Sequence, residues 1–290
     1  MKRILKWTGI VATSLAGLVV LALVYVFIVS QRMLDRTYPK GPSAAHALTT
    51  PEALALGEHL VVVTTCTDCH GKDLTGTLLP VPGSTVYASN LTVATNSLSD
   101  ADIDRAIRRG VLPDGRSVLV MPSHNYANFD DDEIASIIGY LRSLKPLGTA
   151  SPELRLGLEA RVALVAGILK PEAREFADTT RPLDLGTRYE RGRHLAQVVC
   201  ALCHGTNLSG TPKDLVPAPD LLVVGAYDPG AFRVLMRTGK ARGGREVGAM
   251  SQIARGNLSS FTEDEIDAKY DYLTARAQAM TAGGNASSGR

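Results

Sequence analysis

The sequence predicts an all-α protein that consists of one N-terminal transmembrane helix and two tandem copies of a small helical domain. Three observations support this fold class. An uncharged stretch of 25 residues, Trp7 to Gln31, lies near the N-terminus; two segments 134 positions apart repeat the same residues; and patterns typical of β-strands are scarce. A chain of 290 residues, 45% of them hydrophobic, is long enough for two modest domains with additional segments.

The uncharged stretch is long enough to cross a membrane, because a bilayer core needs about 20 apolar residues in a helix. A cleavable signal peptide is the alternative, but its apolar region usually has about 7 to 15 residues and ends at a small-residue cleavage site. Here the stretch ends in the segment 25–30, which has no Ala-x-Ala pattern. We therefore expect residues 1–35 to form an uncleaved transmembrane signal anchor.

The charges around this stretch predict its orientation. Lys2, Arg3 and Lys6 precede it, and the positive-inside bias keeps such a segment in the cytoplasm. Everything after Arg32 is then expected on the outer side of the membrane.

The chain is organised around Cys66-Thr67-Asp68-Cys69-His70, which occurs again as Cys200-Ala201-Leu202-Cys203-His204. Cys-x-x-Cys-His is the attachment signature of c-type haem, in which the two thiols form thioethers and the histidine ligates the iron. A thioredoxin-like dithiol or half of a zinc site would need only Cys-x-x-Cys and would leave the histidine unexplained. The motifs therefore predict two covalently attached haem c groups, held by Cys66, Cys69, His70, Cys200, Cys203 and His204. No cysteine remains for a disulfide.

The residues that flank the motifs are duplicated as well. Gly57-Glu58-His59-Leu60 precedes the first motif and Gly192-Arg193-His194-Leu195 precedes the second. The segments 71–77 and 205–211 follow them with the same pattern of glycine, leucine and threonine. Such similarity at a fixed separation indicates a duplicated domain. We expect the two domains to occupy residues 52–147 and 188–280.

Capping residues predict two further helices in each domain. In the first domain, the earlier of these helices begins at Ser99, with Asp102 three residues later, and ends at Gly110. Its counterpart in the second domain begins at Asp228 with Pro229 and ends at Gly239. The closing helix of the first domain is capped by Asp130 with Glu133 and covers Asp131 to Leu144. The closing helix of the second domain is capped by Thr262 with Glu265 and covers Glu263 to about Ala277. Domains this small need the porphyrin as part of their core.

A sixth iron ligand is expected in each domain besides the motif histidine. Met121 lies 51 residues after His70, and Met250 lies 46 residues after His204. Each methionine follows an arginine by five positions and precedes a closing helix. These parallel positions predict that His70 and Met121 ligate one iron and that His204 and Met250 ligate the other.

Two other residues compete for the sixth position. An isolated methionine is more often a flexible core filler, which is the role we expect for Met236. His124 lies three residues beyond Met121 and is the alternative ligand for the first iron, where it would lower the potential.

These features resemble class I cytochrome c domains, and the tandem, membrane-tethered arrangement is similar to di-haem c-type cytochromes and to the cytochrome subunits of periplasmic membrane-bound dehydrogenases. The resemblance covers roughly residues 52–146 and 188–277. It implies a single-pass protein of the bacterial inner membrane with its haem domains on the periplasmic side. It also implies that the carbonyl groups of Pro80 and Pro217 accept hydrogen bonds from the two motif histidines.

Three segments lie outside the repeat. Residues 36–51 are expected to be a tether. The connector, residues 148–187, alternates charged and apolar residues from Pro152 to Leu169, which suits an amphipathic helix. We expect this helix to pack across the two haem domains, with contact to the membrane surface or to a partner as the alternative. Residues 281–290 are rich in Gly, Ala, Ser and Asn and are expected to form a disordered tail.

Electron transfer is the function that these features predict. Two irons with saturated His/Met coordination leave no open position for a substrate, so we expect a carrier rather than an enzyme. The resemblance implies a dehydrogenase or quinol-oxidising complex as one partner and a terminal oxidase or soluble cytochrome as the other. A di-haem redox enzyme of the peroxidase or thiosulfate-oxidising type is the alternative. The formal net charge of +2 leaves no basic stripe, so nucleic acid is not expected as a partner.

Overall fold

Helices are the main elements of the described part of the protein and strands are nearly absent, which confirms the all-α prediction. The computed structural model describes residues 2–175, 181–211 and 217–287. Within these ranges the only strands are β1 (Lys240–Ala241) and β2 (Arg245–Glu246), which pair with each other in antiparallel orientation.

The helices fall into an N-terminal helix, two domains and a connector. The N-terminal helix is α1 (Lys2–Leu34). The first domain contains α2 (Pro51–Val63), α3 (Cys66–His70), α4 (Leu91–Ala94), α5 (Asp100–Arg109), α6 (Ser123–Tyr126) and α7 (Asp131–Ser143). The connector contains α8 (Leu158–Val165) and α9 (Glu172–Glu175). The second domain contains α10 (Glu190–Leu195), a π-helix (Ala196–Cys200), α11 (Ala201–His204), α12 (Pro229–Thr238), α13 (Ala249–Arg255) and α14 (Glu263–Ser287).

The first helix has the length and composition of a membrane span or a signal sequence. Its segment Lys6–Leu34 has a mean hydropathy of 2.5, and none of its most apolar part is buried against the rest of the protein.

The C-terminal end of α1 is part of the packed structure. Ser30 is fully buried, and Met33 and Leu34 pack on a small apolar cluster with the connector. The extended segment that follows also lies on the first domain, because the Tyr38 N–H donates to the Gly115 carbonyl at 2.8 Å. Residues 36–51 are therefore laid along the first domain and do not form a free tether.

The opening and closing helices of each domain cross in close contact. In the first domain, α2 crosses α7 at Gly57, where an added Cβ would lie 2.1 Å from the Ser136 carbonyl oxygen. In the second domain, α10 crosses α14 at Gly192, where an added Cβ would lie 2.0 Å from the Ala268 carbonyl oxygen. The sequence repeat is thus a repeat of packing as well.

The predicted caps are confirmed. The Ser99 side chain accepts a hydrogen bond from the Asp102 N–H at 3.1 Å, and Asp228 accepts one from the Ala231 N–H at 2.8 Å. Glu133 and Glu265 accept hydrogen bonds from the backbone N–H groups of Asp130 and Thr262 at 2.9 and 2.8 Å, as expected of capping boxes.

Two predicted boundaries differ from the structure. The closing helix of the second domain does not end near Ala277 but continues to Ser287, because Gln278, Ala279 and Met280 directly beyond Ala277 are good helix formers. The prediction of a disordered tail is therefore not supported for 281–287, and residues 288–290 lie outside the described residues. In the connector, the helix is shorter than predicted and covers Leu158–Val165.

The connector helix packs on the first domain and α1, which corrects the expectation that it lies across the two haem domains. Leu156, Ala160 and Leu164 are buried against Val86 and Leu119 of the first domain. The physical reason is that the C-terminal end of α1 presents Met33 and Leu34 at the same place and completes this cluster.

The two domains contact each other through reciprocal ion pairs. His59 of α2 lies 2.9 Å from the Glu265 carboxylate at the start of α14, and His194 of α10 lies 2.9 Å from the Glu133 carboxylate at the start of α7. The same positions of the repeat therefore meet crosswise, as in an isologous dimer. The buried apolar residues of both domains form one continuous cluster across this contact.

Candidate haem sites

Both motifs occupy a short helical turn directly after the opening helix. In the first domain, Thr64 and Thr65 separate α2 from α3, and Thr65 has a left-handed backbone with φ 64°. In the second domain, the π-helix Ala196–Cys200 leads directly into α11. The spacing from Gly192 to Cys200 is one residue shorter than the spacing from Gly57 to Cys66, so the two domains reach their motifs through different local conformations.

The loops after the two motifs have the same backbone geometry. Leu74 and Leu208 both have positive φ, 60° and 64°, which is uncommon for a residue other than glycine. The N–H of Gly76 donates to the His70 carbonyl at 2.7 Å, and the N–H of Gly210 donates to the His204 carbonyl at 2.8 Å. The second unit therefore reproduces the conformation of the first at the positions that hold the motif histidine.

Each motif histidine is oriented by a backbone carbonyl. His70 Nδ1 lies 2.7 Å from the Ser89 carbonyl oxygen, and His204 Nδ1 lies 2.7 Å from the Pro219 carbonyl oxygen. With Nδ1 donating, the lone pair of Nε2 is available for a metal.

These carbonyls correct the assignment of Pro80 and Pro217. Gly76 packs against the Ala88 carbonyl and Gly210 against the Ala218 carbonyl, so Ser89 is the structural equivalent of Pro219. The first domain has a longer loop before this point, and the similar Pro-x-Pro patterns of the two domains do not align in space. Counting back from the next helix, rather than matching prolines, would have found Ser89.

Burial sets the charge state of both histidines. Removal from water lowers the pKa of His70 and of His204, although the hydrogen bond to the carbonyl opposes the shift in each case. A lowered pKa keeps the imidazole neutral at neutral pH, which is the form that ligates a metal.

The cysteines are suited to covalent attachment and not to dithiol redox chemistry. None of the four forms a disulfide. Burial raises the pKa of Cys66 to about 11 and also raises the pKa of Cys69, Cys200 and Cys203. A thioredoxin-like site needs a lowered thiol pKa, so this alternative does not fit the structure.

The two candidate methionines lie in equivalent places. Met121 precedes α6 and Met250 lies in the first turn of α13; both are half-buried and pack against the main apolar cluster with Cys66 and Cys200. A fully buried serine close behind each methionine ties it to the helix before: Ser123 Oγ donates to the Ala106 carbonyl at 2.8 Å, and Ser251 Oγ donates to the Gly239 carbonyl at 2.6 Å.

The two competing residues have other roles. Met236 is 5% exposed in the middle of α12, which confirms its expected place in the core. His124 Nδ1 lies 2.8 Å from a carboxylate oxygen of Glu172 in the connector, and about a third of its side chain remains exposed. This hydrogen bond orients His124 as a carbonyl orients each motif histidine, so Met121 remains the proposed sixth ligand because of its parallel position with Met250.

Direct contacts between the first motif and the second domain were not predicted. Asn257, which follows α13, donates from Nδ2 to Thr67 Oγ1 at 3.1 Å and to the Val62 carbonyl at 2.8 Å. The pairs of His59 with Glu265 and His194 with Glu133 were missed as well. The duplicated histidine and the duplicated capping glutamate were visible signals, but the sequence does not say that they meet across domains.

The residues present fit a haem c group at both motifs. Each unit combines two thiols, a neutral histidine with free Nε2 and a half-buried methionine on an apolar wall.

Comparison with known proteins supports this interpretation for the first domain. Residues 52–141 match the family model described as cytochrome c oxidase, cbb3-type, subunit III. A comparison with curated proteins found no match. The match spans the first domain from α2 to α7 and includes the motif 66–70. Residues 52–141 therefore resemble a c-type cytochrome domain, which supports an electron-transfer haem protein, and this family implies covalently bound haem c.

Proposed function

We propose that the protein is a membrane-anchored di-haem cytochrome that carries single electrons between redox partners on the periplasmic side of a bacterial inner membrane. The observation that carries the proposal is the repeated geometry. Both motif histidines donate to a backbone carbonyl at 2.7 Å, and both are followed by a leucine with positive φ.

The chain's own residues hold and insulate the two sites. Haem iron supplies one-electron redox chemistry when it is bound. Cys66, Cys69, Cys200 and Cys203 provide the thioether links. When haem is bound, His70 and His204 would each supply a nitrogen ligand to the iron, and Met121 and Met250 would each supply a sulfur ligand, which would leave no open position for a substrate.

The contact between the domains supports exchange of electrons within one chain. Asn257 touches Thr67 inside the first motif, while Gln197 of the π-helix that leads into the second motif donates to Asn128 of the first domain at 2.8 Å. Each motif region thus lies against the other domain, which favours a short path between the two sites.

The anchor keeps the carrier near its partners. We propose a dehydrogenase or quinol-oxidising complex as donor and a terminal oxidase or soluble cytochrome as acceptor. The nearly balanced net charge of +2 favours docking through small, weak patches.

Counting haem groups tests the proposal. The full-length protein in detergent should contain two covalent haems per chain by its alkaline pyridine spectrum. The double variants Cys66→Ser with Cys69→Ser, and Cys200→Ser with Cys203→Ser, should each retain one. A wild-type value of one would contradict the di-haem assignment.

Carbon monoxide separates the carrier from the enzyme alternative. Because both sites are proposed to be saturated by His and Met, the reduced protein should show no spectral change with carbon monoxide. A change that involves half of the haem would indicate an open site, as a di-haem enzyme requires.

A further inference from the structure

The outer end of α1 and the connector form one apolar surface, and we propose that this surface lies in the outer leaflet of the membrane, in contact with lipid acyl chains. The proposal rests on the anchoring role of α1 given above. It adds a second membrane contact, made by a segment that follows the first haem domain.

The depth of the connector follows from the groove that it shares with α1. An open groove of about 440 Å³ runs between them, lined by Leu23 and Val24 on one side and by Leu156 and Leu158 on the other. The hydrocarbon core takes about 20 helical residues. It therefore covers 7–26 if it begins at the start of the uncharged stretch, or 12–31 if it ends with that stretch.

Both placements put Leu23 and Val24 inside the hydrocarbon core. The connector residues that line the same groove, Leu156 and Leu158, then reach the level of the acyl chains. A connector held only in water above the membrane could not share a groove with these positions of α1.

The connector helix is apolar on two faces. Ala160 and Leu164 are buried on the first domain, while Leu158 and Val162, one turn apart, are 52% and 46% exposed. A helix that is apolar outside its buried face is unusual in water, and an exposed apolar patch of this kind marks a contact surface. The patch continues the exposed apolar surface of α1, which favours lipid as the partner.

Arg161 fixes the connector to the outer end of α1. Its guanidinium lies 4.3 Å from the centre of the Phe27 ring and donates to Ser30 Oγ at 2.8 Å and to Gln31 Oε1 at 3.2 Å. These contacts hold Leu158 and Val162 beside the span, so the whole first domain keeps one orientation relative to the membrane.

Nitroxide accessibility in lipid nanodiscs tests the proposal on the full-length holoprotein. Labels are placed one at a time through Leu158→Cys and Val162→Cys. Leu15→Cys provides the reference inside the span, and Val234→Cys, at a position 50% exposed on α12, provides the reference in water. The readout is the ratio of collisions with oxygen to collisions with a water-soluble nickel chelate.

We expect the ratio at 158 and 162 to approach that at 15 and to exceed that at 234 several-fold. A water-like ratio at 158 and 162 with a lipid-like ratio at 15 overturns the connector proposal and leaves the anchor intact. A water-like ratio at 15 as well overturns both. Protection from both reagents at 158 and 162 shows a protein neighbour on this surface and overturns the choice of lipid.

Discussion

At the scale of single residues, the most informative atoms are the Nδ1 atoms of the motif histidines. Each lies 2.7 Å from a carbonyl oxygen, so the ring has one orientation and one tautomer before it meets a metal. Met121 and Met250 are the proposed second ligands of the two sites.

Replacing either methionine should affect one haem and leave the other unchanged. Met121→Ala and Met250→Ala are each expected to remove about half of the long-wavelength methionine-to-iron absorption band of the oxidised protein and to lower one of two midpoint potentials. The reason is that a thioether ligand both produces this band and favours reduced iron. Absorption spectroscopy and a redox titration measure the two effects.

Met236→Leu is the matched control, because Met236 is a buried core residue of α12 and should leave the band intact. If Met121→Ala preserved the band and His124→Ala changed the first site, the ligand assignment would pass to His124.

The sequence was sufficient for the residues that carry a motif and insufficient for those that act through the backbone. Cys66 and His70 are recognisable from their spacing alone. The Ser89 carbonyl cannot be recognised in this way, because every residue has a carbonyl and only the loop conformation brings this one to His70.

At the scale of helices, the two glycine crossings define the domains. Gly57 and Gly192 each let a closing helix approach so closely that no Cβ fits. The caps could be read from the sequence because they depend on neighbouring residues, and Ser99, Asp228 and Thr262 all occupy the predicted positions. The packing of the connector helix could not be read from the sequence, because it depends on Met33 and Leu34 from a distant part of the chain.

Gly57→Ala and Gly192→Ala should each destabilise the protein by about 1 to 3 kcal/mol, because overpacking forces the helices apart. Thermal unfolding of the full-length protein, with the haem absorption as the signal, measures the loss.

Gly230→Ala is the control for these substitutions. Gly230 lies in the first turn of α12, where an added Cβ would meet only the Asp228 carboxylate at 3.3 Å. The replacement should be neutral or slightly stabilising, since alanine favours helix. An equal loss for all three variants would mean that the crossings are not tight.

At the scale of the whole molecule, the crosswise pairs of His59 with Glu265 and His194 with Glu133 join the two domains. The duplication predicted two similar domains, but their relative placement depends on which surfaces match, and no local pattern encodes this. The continuous apolar cluster and the hydrogen bonds of Asn257 complete the contact.

The crosswise pairs should make stability depend on pH. The hydrogen bond with Glu133 raises the pKa of His194 above its usual value, so this pair stabilises the fold below about pH 6.5 and loses its effect as the pH rises through the raised pKa. Burial raises the pKa of Glu265, but hydrogen bonds from His59 and Thr262 outweigh it and leave the pKa below 4.5. The contribution of the Glu265 carboxylate to stability is therefore present above pH 4.5 and is lost as the pH falls through its lowered pKa.

His194→Gln tests the predicted loss of stability at alkaline pH, because glutamine can donate a hydrogen bond to Glu133 without titrating. The stability difference between wild type and variant should shrink by up to about 1 kcal/mol between pH 6 and 9, after allowance for solvent screening. A constant difference for His194→Gln would contradict the role of the pair.

The contact between Asn257 and Thr67 also fixes an order of events in biosynthesis. In the proposed export of the chain from its N-terminal side, the first motif crosses the membrane before residue 257 does. Thr67 and the Val62 carbonyl can be covered by Asn257 only after the second domain has followed. His59 likewise precedes its partner Glu265 by 206 positions in the sequence. Under this proposed route, the cysteines at 66 and 69 would stay uncovered by the second domain until that domain has crossed as well, so haem could be attached before the two domains pack together.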